Sequence, residues 1–290
     1  MSGFVKSKTQ RGSSGQVMNL GTKILSYVIL SIVALIVLYP LLWLLMSALK
    51  TVEELTFNTW GLPRNPQPIN FYLAWTNAGL GRLMLNSIQT ASLTVIFTLA
   101  ACVPMAFVLS RFRFRFRRLV YYIVIAGMMI PIHAAIIPLY LLVFNMGMMN
   151  NLTMLALIYG AFRVPISVFI LEGYMNTIPK EMEECAYIDG CSVFRVFWNI
   201  VIPLSRDVIA TVAILAVINA WNELMVAMLL ISDMSLRTLP IGLAGFLNEY
   251  FSEHTQLAAG ALLAILPTLL FYLVAQERIQ RGLTAGALKG

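Results

Sequence analysis

The stretch EMEECAYIDGCSVFRVFWNIVIP, residues 181–203, is the most polar internal segment of an otherwise apolar chain. It holds three glutamates, an aspartate, a glycine and a closing proline, with long apolar runs on both sides. Those runs decide the fold. Hydrophobic residues make up 59% of the 290 residues and charged residues 11%, with a mean hydropathy of +0.81. A soluble domain carries about 25% charged residues, so this chain cannot cover a globular surface with polar groups, and lipid is its solvent. The expected fold is all-α and polytopic.

Working outward from the island, residues 152–175 and 208–230 are apolar runs long enough to span, since a bilayer needs about 20 helical residues. Further spans are expected at 24–47, 86–109, 119–143 and 257–275. Pro131 and Pro138 lie inside the third, where neighbouring helices or water must satisfy the freed carbonyls. Residues 1–20 read as a flexible tail. Residues 21–275 make one six-span domain, containing the 179–203 loop, and 276–290 form a C-terminal tail.

Charge sets the orientation. Lys6, Lys8, Arg11 and Lys23 precede the first span. Arg111, Arg113, Arg115, Arg117 and Arg118 follow the second, in RFRFRFRR. Lys180, Arg195 and Arg206 flank the island, and Arg278, Arg281 and Lys289 close the chain. The opposite loops hold Lys50, Arg64, Arg82 and Arg237. Lys and Arg are retained on the cytoplasmic side, so the island and both termini are expected there. The net charge of +7 therefore serves topology. The basic residues sit between apolar segments, so the net charge does not indicate nucleic-acid binding. The 111–118 run reads as a helix end with arginines at lipid headgroups and phenylalanines in the interface.

Within the island, Pro179 suits a first helical turn, and Glu181, Glu183 and Glu184 favour a helix N-terminus. Met182, Cys185, Ala186 and Asp189 share one helical face. Gly190 suits a left-handed exit. Ser192 can cap a second helix over 193–201, whose Val193, Phe194, Val196, Phe197 and Trp198 suit a membrane surface, and Pro203 ends or kinks it.

The segment EECAYIDGCSVFRVFWNIVIP resembles the cytoplasmic signature loop of binding-protein-dependent ABC importer permeases, Glu-Ala-Ala, three residues, Gly, nine residues, Ile-x-Leu-Pro. Glu184, Cys185, Ala186, Gly190, Ile200, Ile202 and Pro203 fill it, with Cys185 in place of alanine and Ile202 in place of leucine. The C-terminal GLTAGALKG, together with WNE at 221–223 and RTLPIGL at 237–243, resembles the smaller permease of maltose-type carbohydrate importers.

The resemblance implies the type I importer fold and a transport subunit that is not itself an enzyme. Glu184, Cys185, Ala186, Ile188, Asp189, Gly190 and Pro203 would couple to a cytoplasmic ATPase. Gly282, Leu283, Thr284, Gly286, Lys289 and Gly290 would form a tail reaching it, and Asn248, Glu249 and Tyr250 would touch the binding protein. Implied partners are a second permease in a heterodimer, two ATPase copies and an extracytoplasmic solute-binding protein, in the cell membrane of a bacterium or archaeon. The chain lacks a phosphate-cradling G-x-x-x-x-G-K-[ST] loop, so ATP and magnesium would belong to the partner ATPase and no cofactor to this chain. A di- or oligosaccharide is the expected cargo. A polyol or glycerol phosphate is the alternative within this family, and a self-contained secondary transporter the alternative outside it.

Arg163 and Glu223 are charges inside spans, which are costly and usually face a cavity or partner. At 1.5 Å per residue their depths differ by about 5 Å, so they are expected to pair or to line one pathway with Asn219 and Asn222. His133, His254 and the three cysteines show no metal-ligand spacing. His133, after Pro131, reads as a structural histidine, and the 16 methionines as adaptable packing.

Overall fold

The computed structural model describes residues 20–77, 79–249 and 254–287, and every regular element among them is helical. The chain divides into two units, 1–44 and 45–290. The described part of the first belongs to helix α1, Leu20–Ala48, which contains Pro40 and whose last turn lies in the second unit. In the second unit, the short helices α2 (Val52–Phe57) and α3 (Ile69–Asn77) lead to α4 (Leu80–Arg111). Then come α5 (Arg117–Ala126), two 3₁₀ turns, α6 (Ile136–Asn145) and α7 (Leu152–Met175). The island forms α8 (Glu181–Ile188) and α9 (Val193–Val196), continued by a π turn into α10 (Ile202–Asn222). Helices α11 (Met225–Leu230), α12 (Leu239–Glu249) and α13 (His254–Ala287) complete it.

Five helical stretches are long and apolar enough to cross a membrane: Lys23–Ala48, Leu80–Arg111, Leu152–Met175, Val193–Asn222 and His254–Leu273. A further apolar helix pair is sharply bent, and counts as a sixth crossing only if taken as one span. Arg117–Met129 and Ile132–Asn145 meet at 88°, where an unbroken third span over 119–143 was expected. Pro131 has no N–H to donate, and the chain closes the gap with 3₁₀ turns, including Ala134 N to Pro131 O at 3.0 Å.

Two further boundaries depart from the sequence expectation. The fifth crossing starts at Val193 rather than 208, and it ends at Asn222 rather than 230. Pro203 neither ends nor sharply kinks that run. A π turn over Phe197–Val201 absorbs its missing donor. At the other end, α13 continues through Ala287, so the expected tail 276–290 begins as helix.

The bundle is organised around α4 and α7, with α10 packed on both and α13 on α10. One core cluster, near the island, joins Cys102, Phe107, Leu171, Met175, Phe197 and Val208. The other, toward the opposite end, joins Val143, Leu155, Tyr159, Val226 and Leu230. Along the α4–α7 contact, Thr90 and Thr94 turn their hydroxyls onto carbonyls of their own helix, Asn86 O and Thr90 O, each at 2.8 Å. The Thr94 hydroxyl also donates across to Ala156 O of α7 at 3.4 Å, and Gly160 of α7 lies against α4. A Cβ there would stand 3.0 Å from Phe97 Cβ and 3.4 Å from the Thr98 nitrogen.

Gly160→Leu should therefore force the two central helices apart, at a cost of about 1–3 kcal/mol. Thermal unfolding in detergent checks this, with Gly173→Ala, which meets nothing within 4 Å, as the unaffected control.

Candidate functional site

The island leaves α7 through Ile178, which is buried, and re-forms a helix at once. Glu183 and Glu184 N–H groups donate to Lys180 O at 2.9 Å each. Three glutamates occupy the first turn of α8, where the exposed helical N–H groups favour negative charge. Its end is a Schellman closure. Gly190 takes φ +81°, its N–H donates to Tyr187 O, and Cys191 N–H reaches back to Ala186 O at 2.9 Å. Ser192 then caps α9, its hydroxyl accepting from Arg195 N at 3.4 Å. The expected helix, glycine turn and capped helix are all present.

Met182, Cys185, Ala186 and Asp189, expected on one face, are divided, and Ala186 is buried rather than free to contact an ATPase. Glu183 and Ala186 point inward, whereas Met182 (47% exposed) and Cys185 point outward. Glu184, Ile188 and Asp189 are exposed as well, Ile188 to 85%. In the next helix Val196 and Phe197 are buried, while Val193, Phe194 and Trp198 remain exposed. Pro203 is exposed beyond them. The outcome is a compact helix–turn–helix with an acidic and apolar outer surface.

What holds its inner face is a charge that the sequence reading treated only as a helix-end effect. Glu183 Oε1 accepts from Arg111 Nε at 2.5 Å, and the two side chains are 5% and 6% exposed. Arg111 Nη2 also donates to Ile178 O at 3.4 Å. Nearby, Arg117 Nε donates to Leu109 O at 2.5 Å and its Nη2 lies 3.3 Å from Glu172 Oε1. Asn176 Nδ2 donates to the same Glu172 oxygen at 2.6 Å. So Arg111 turns into the protein rather than toward lipid headgroups, Arg117 bonds inward while staying partly exposed, and Arg113, Arg115 and Arg118 are exposed. Residues 112–114 are not helical. Burial raises the Tyr187 hydroxyl pKa; the Glu183 charge adds to this and Arg111 opposes it.

Glu172, Glu183, Arg111 and Arg117 were not singled out as site residues. The usable signal was opposite charge: acids at the end of α7 and in α8, facing two arginines at the ends of adjacent apolar runs.

Among the membrane charges, Arg163 and Glu223 do not pair. Glu223 sits at the break between α10 and α11. Its carboxylate accepts from Tyr159 OH at 2.5 Å, Val226 N at 3.0 Å and Ala227 N at 3.1 Å. These bonds satisfy N–H groups that a broken helix would otherwise leave orphaned. Arg163 Nη2 instead donates to Leu215 O on α10 at 3.3 Å. Asn219 and Asn222 are exposed on α10, and Asn222 Nδ2 donates to Ile218 O at 2.7 Å.

On the opposite end, the 231–239 segment is pinned. Asn150, at φ +55°, accepts through Oδ1 from Ser232 N and Asp233 N at 2.7 and 2.9 Å. Asn86 Nδ2 donates to Ser235 O and Arg237 O. Hydrogen bonds from Ser235 hold the Asp233 carboxyl below its usual range. Asn248 and Glu249 lie in the last turn of α12, while Tyr250 falls outside the described residues. Gly282, Leu283, Thr284 and Gly286 lie on the α13 backbone; Lys289 and Gly290 fall outside. Among the described residues no three His, Cys, Asp or Glu side chains gather as a metal site.

Residues 100–284 match the family of binding-protein-dependent transport system inner membrane components. The diacetylchitobiose uptake system permease protein NgcG of Streptomyces coelicolor is 32% identical over 267 residues, covering 91% of this chain and 88% of the relative. The melibiose/raffinose/stachyose import permease protein MelC of Bacillus subtilis is 33% identical over 265 residues, covering 90% and 94%. A crystal structure of a bacterial ABC transporter involved in import of the acidic polysaccharide alginate superposes with a TM-score of 0.76 at 24% identity, over 88% of this chain and 95% of that one. That last likeness concerns the fold.

The geometry at Glu223 is tested by coupling. Tyr159→Phe and Glu223→Gln should be non-additive in unfolding free energy, each losing about 1.5–3 kcal/mol for a hydrogen bond to a charged group. Arg163→Met and Glu223→Gln should add, because those side chains share no partner.

Proposed function

This chain belongs to the family of binding-protein-dependent transport system inner membrane components, and from that premise we propose that it is one permease of an ATP-driven carbohydrate importer. The observation that carries the reading is the two-faced helix–turn–helix. Its inner face is tied to the bundle through Glu183, while its outer face presents Glu184, Cys185, Ile188 and Asp189 beside the Gly190 turn. A short helix with a small exposed face and an apolar neighbour suits insertion into a groove of a soluble partner. In this reading that partner is an ATPase, which binds ATP and magnesium.

The loop and both chain termini face the cytoplasm, as the Lys and Arg distribution argues. A second permease completes the pathway, two ATPase copies drive it, and a solute-binding protein delivers cargo at the opposite face. Asn248, Glu249 and Tyr250 are the proposed contacts for that protein. The segment Gly282–Gly290 is the proposed second contact with the ATPase. Asn219 and Asn222, exposed on α10, are the proposed pathway residues together with Arg163; Glu223 is held by Tyr159 and the start of α11. The sugar-transporting relatives support a di- or oligosaccharide as cargo.

Affinity purification of the chain co-expressed with its ATPase should recover both. Glu184→Lys should lose the ATPase by placing a cation on the docking face. Gly190→Pro should lose it too, since proline cannot adopt positive φ. Unchanged ATPase recovery and sugar uptake in both variants would sink the docking reading. A membrane-impermeant maleimide should label exposed Cys185 in inside-out vesicles and leave it unlabelled in right-side-out ones; buried Cys102 should stay unlabelled in both.

A further inference from the structure

We propose that Arg111 is the positioning residue that makes the docking helix α8 move together with the membrane helix α4, so that displacement of the loop becomes displacement of the bundle. The inference rests on the reading of α8 as an ATPase-docking element. It assigns a role to the RFRFRFRR segment that the docking reading leaves unused.

Four observations carry it. First, α8 packs most extensively against α9 among the described helices, and it reaches the bundle core through Ala186, which joins Leu171, Met175 and Phe197. Second, the inward side chains of α8 are Glu183 and Ala186. Ala186 can only pack, whereas Glu183 makes a directional, charge-assisted bond to Arg111 Nε at 2.5 Å. With both side chains almost fully buried, neither can exchange its partner for water. Moving α8 without α4 would strand a buried charge.

Third, Arg111 is the last residue of α4, a 32-residue helix that packs along both α7 and α10. Its guanidinium also reaches Ile178 O, in the chain that joins α7 to α8. A pull on Glu183 therefore arrives at one end of α4 and at the α7–α8 connection together. Fourth, Arg117 carries the load onward. It grips Leu109 O on α4 and Glu172 on α7, and it stands in the first turn of α5, so three membrane helices meet at one ionic junction.

The pair is not what maximal stability would select. Arg111 Nη1 is buried without a partner, and an apolar pair of similar volume would avoid that cost. A bond that fixes register is the better account of its presence.

The test uses the complete transporter, with partner permease, ATPase and solute-binding protein, in proteoliposomes. Variants Glu183→Gln, Arg111→Met and the exchanged pair Arg111→Glu/Glu183→Arg are compared in three readouts. These are ATPase retained on affinity purification, sugar uptake, and the ratio of ATP hydrolysis with and without loaded binding protein. Both single variants should retain the ATPase, lower uptake about tenfold and flatten the hydrolysis ratio, as expected for loss of a coupling contact. The exchanged pair should recover most of both.

Wild-type uptake and an unchanged ratio in the single variants would overturn the proposal. So would loss of the ATPase in them, or failure of the exchanged pair to recover uptake, since either would make the pair a local fold element only. Glu184→Lys separates the two levels. If it and Gly190→Pro both keep the ATPase and normal uptake, the docking premise falls and this inference with it. If Glu184→Lys loses the ATPase while Glu183→Gln transports normally, docking stands and only the role of Arg111 is overturned.

Discussion

Backbone pairing is the constraint on which everything else in this molecule rests. In hydrocarbon no water is present to bond a free N–H or C=O, so a spanning chain must satisfy both within itself. Long helices do so automatically, and the distinctive features lie where a helix is interrupted. At Pro131 the apolar pair Arg117–Met129 and Ile132–Asn145 turns by 88°, and tight 3₁₀ turns recover part of the lost bonding. At Pro203 a single π turn keeps the run continuous. At Glu223 a carboxylate does what a preceding helical turn would have done, accepting from two N–H groups at the start of α11.

Three acids within the bundle each have a partner. Glu223 is held by Tyr159 and backbone N–H groups, Glu172 by Arg117 and Asn176, and Glu183 by Arg111. A lone carboxylate in such surroundings would be prohibitively costly, and the three arrangements serve different ends. Glu223 completes a broken span. Glu172 holds Arg117, which links the ends of α4, α5 and α7. Glu183 anchors an exposed surface element to the bundle, which allows a short loop to be both presented to a partner and mechanically connected. Under the proposed docking role, that connection would pass work between a soluble motor and the membrane helices.

Local features were legible where local rules govern. The island's helix, its Gly190 turn and its Ser192 cap follow from side chains acting within a few residues of themselves. The fourth span was readable to the residue, Leu152–Met175, because Asn151 caps it and polar residues bound it. The fifth was not. Val193–Val201 reads as a separate surface helix by its amphipathic pattern, yet Val196, Phe197 and Val201 join the core of the bundle. The burial of Glu183 and Ala186 on α8 was not foreseen, for a related reason. Periodicity identifies the more apolar face, but Glu183 faces inward because an arginine waits there.

The sequence alone determined that this is a helical membrane chain with a polar helix–turn–helix near its middle, because composition and short-range backbone rules leave little choice in lipid. Its motif spacing also carried the family. Only the tertiary structure decided which charges meet. Arg111 and Glu183 are separated by 72 positions, and Tyr159 and Glu223 by 64. No periodicity or propensity reports on pairs so distant. Whether an arginine lies in headgroups or in a protein interior depends on what the other helices bring beside it, and packing alone supplies that.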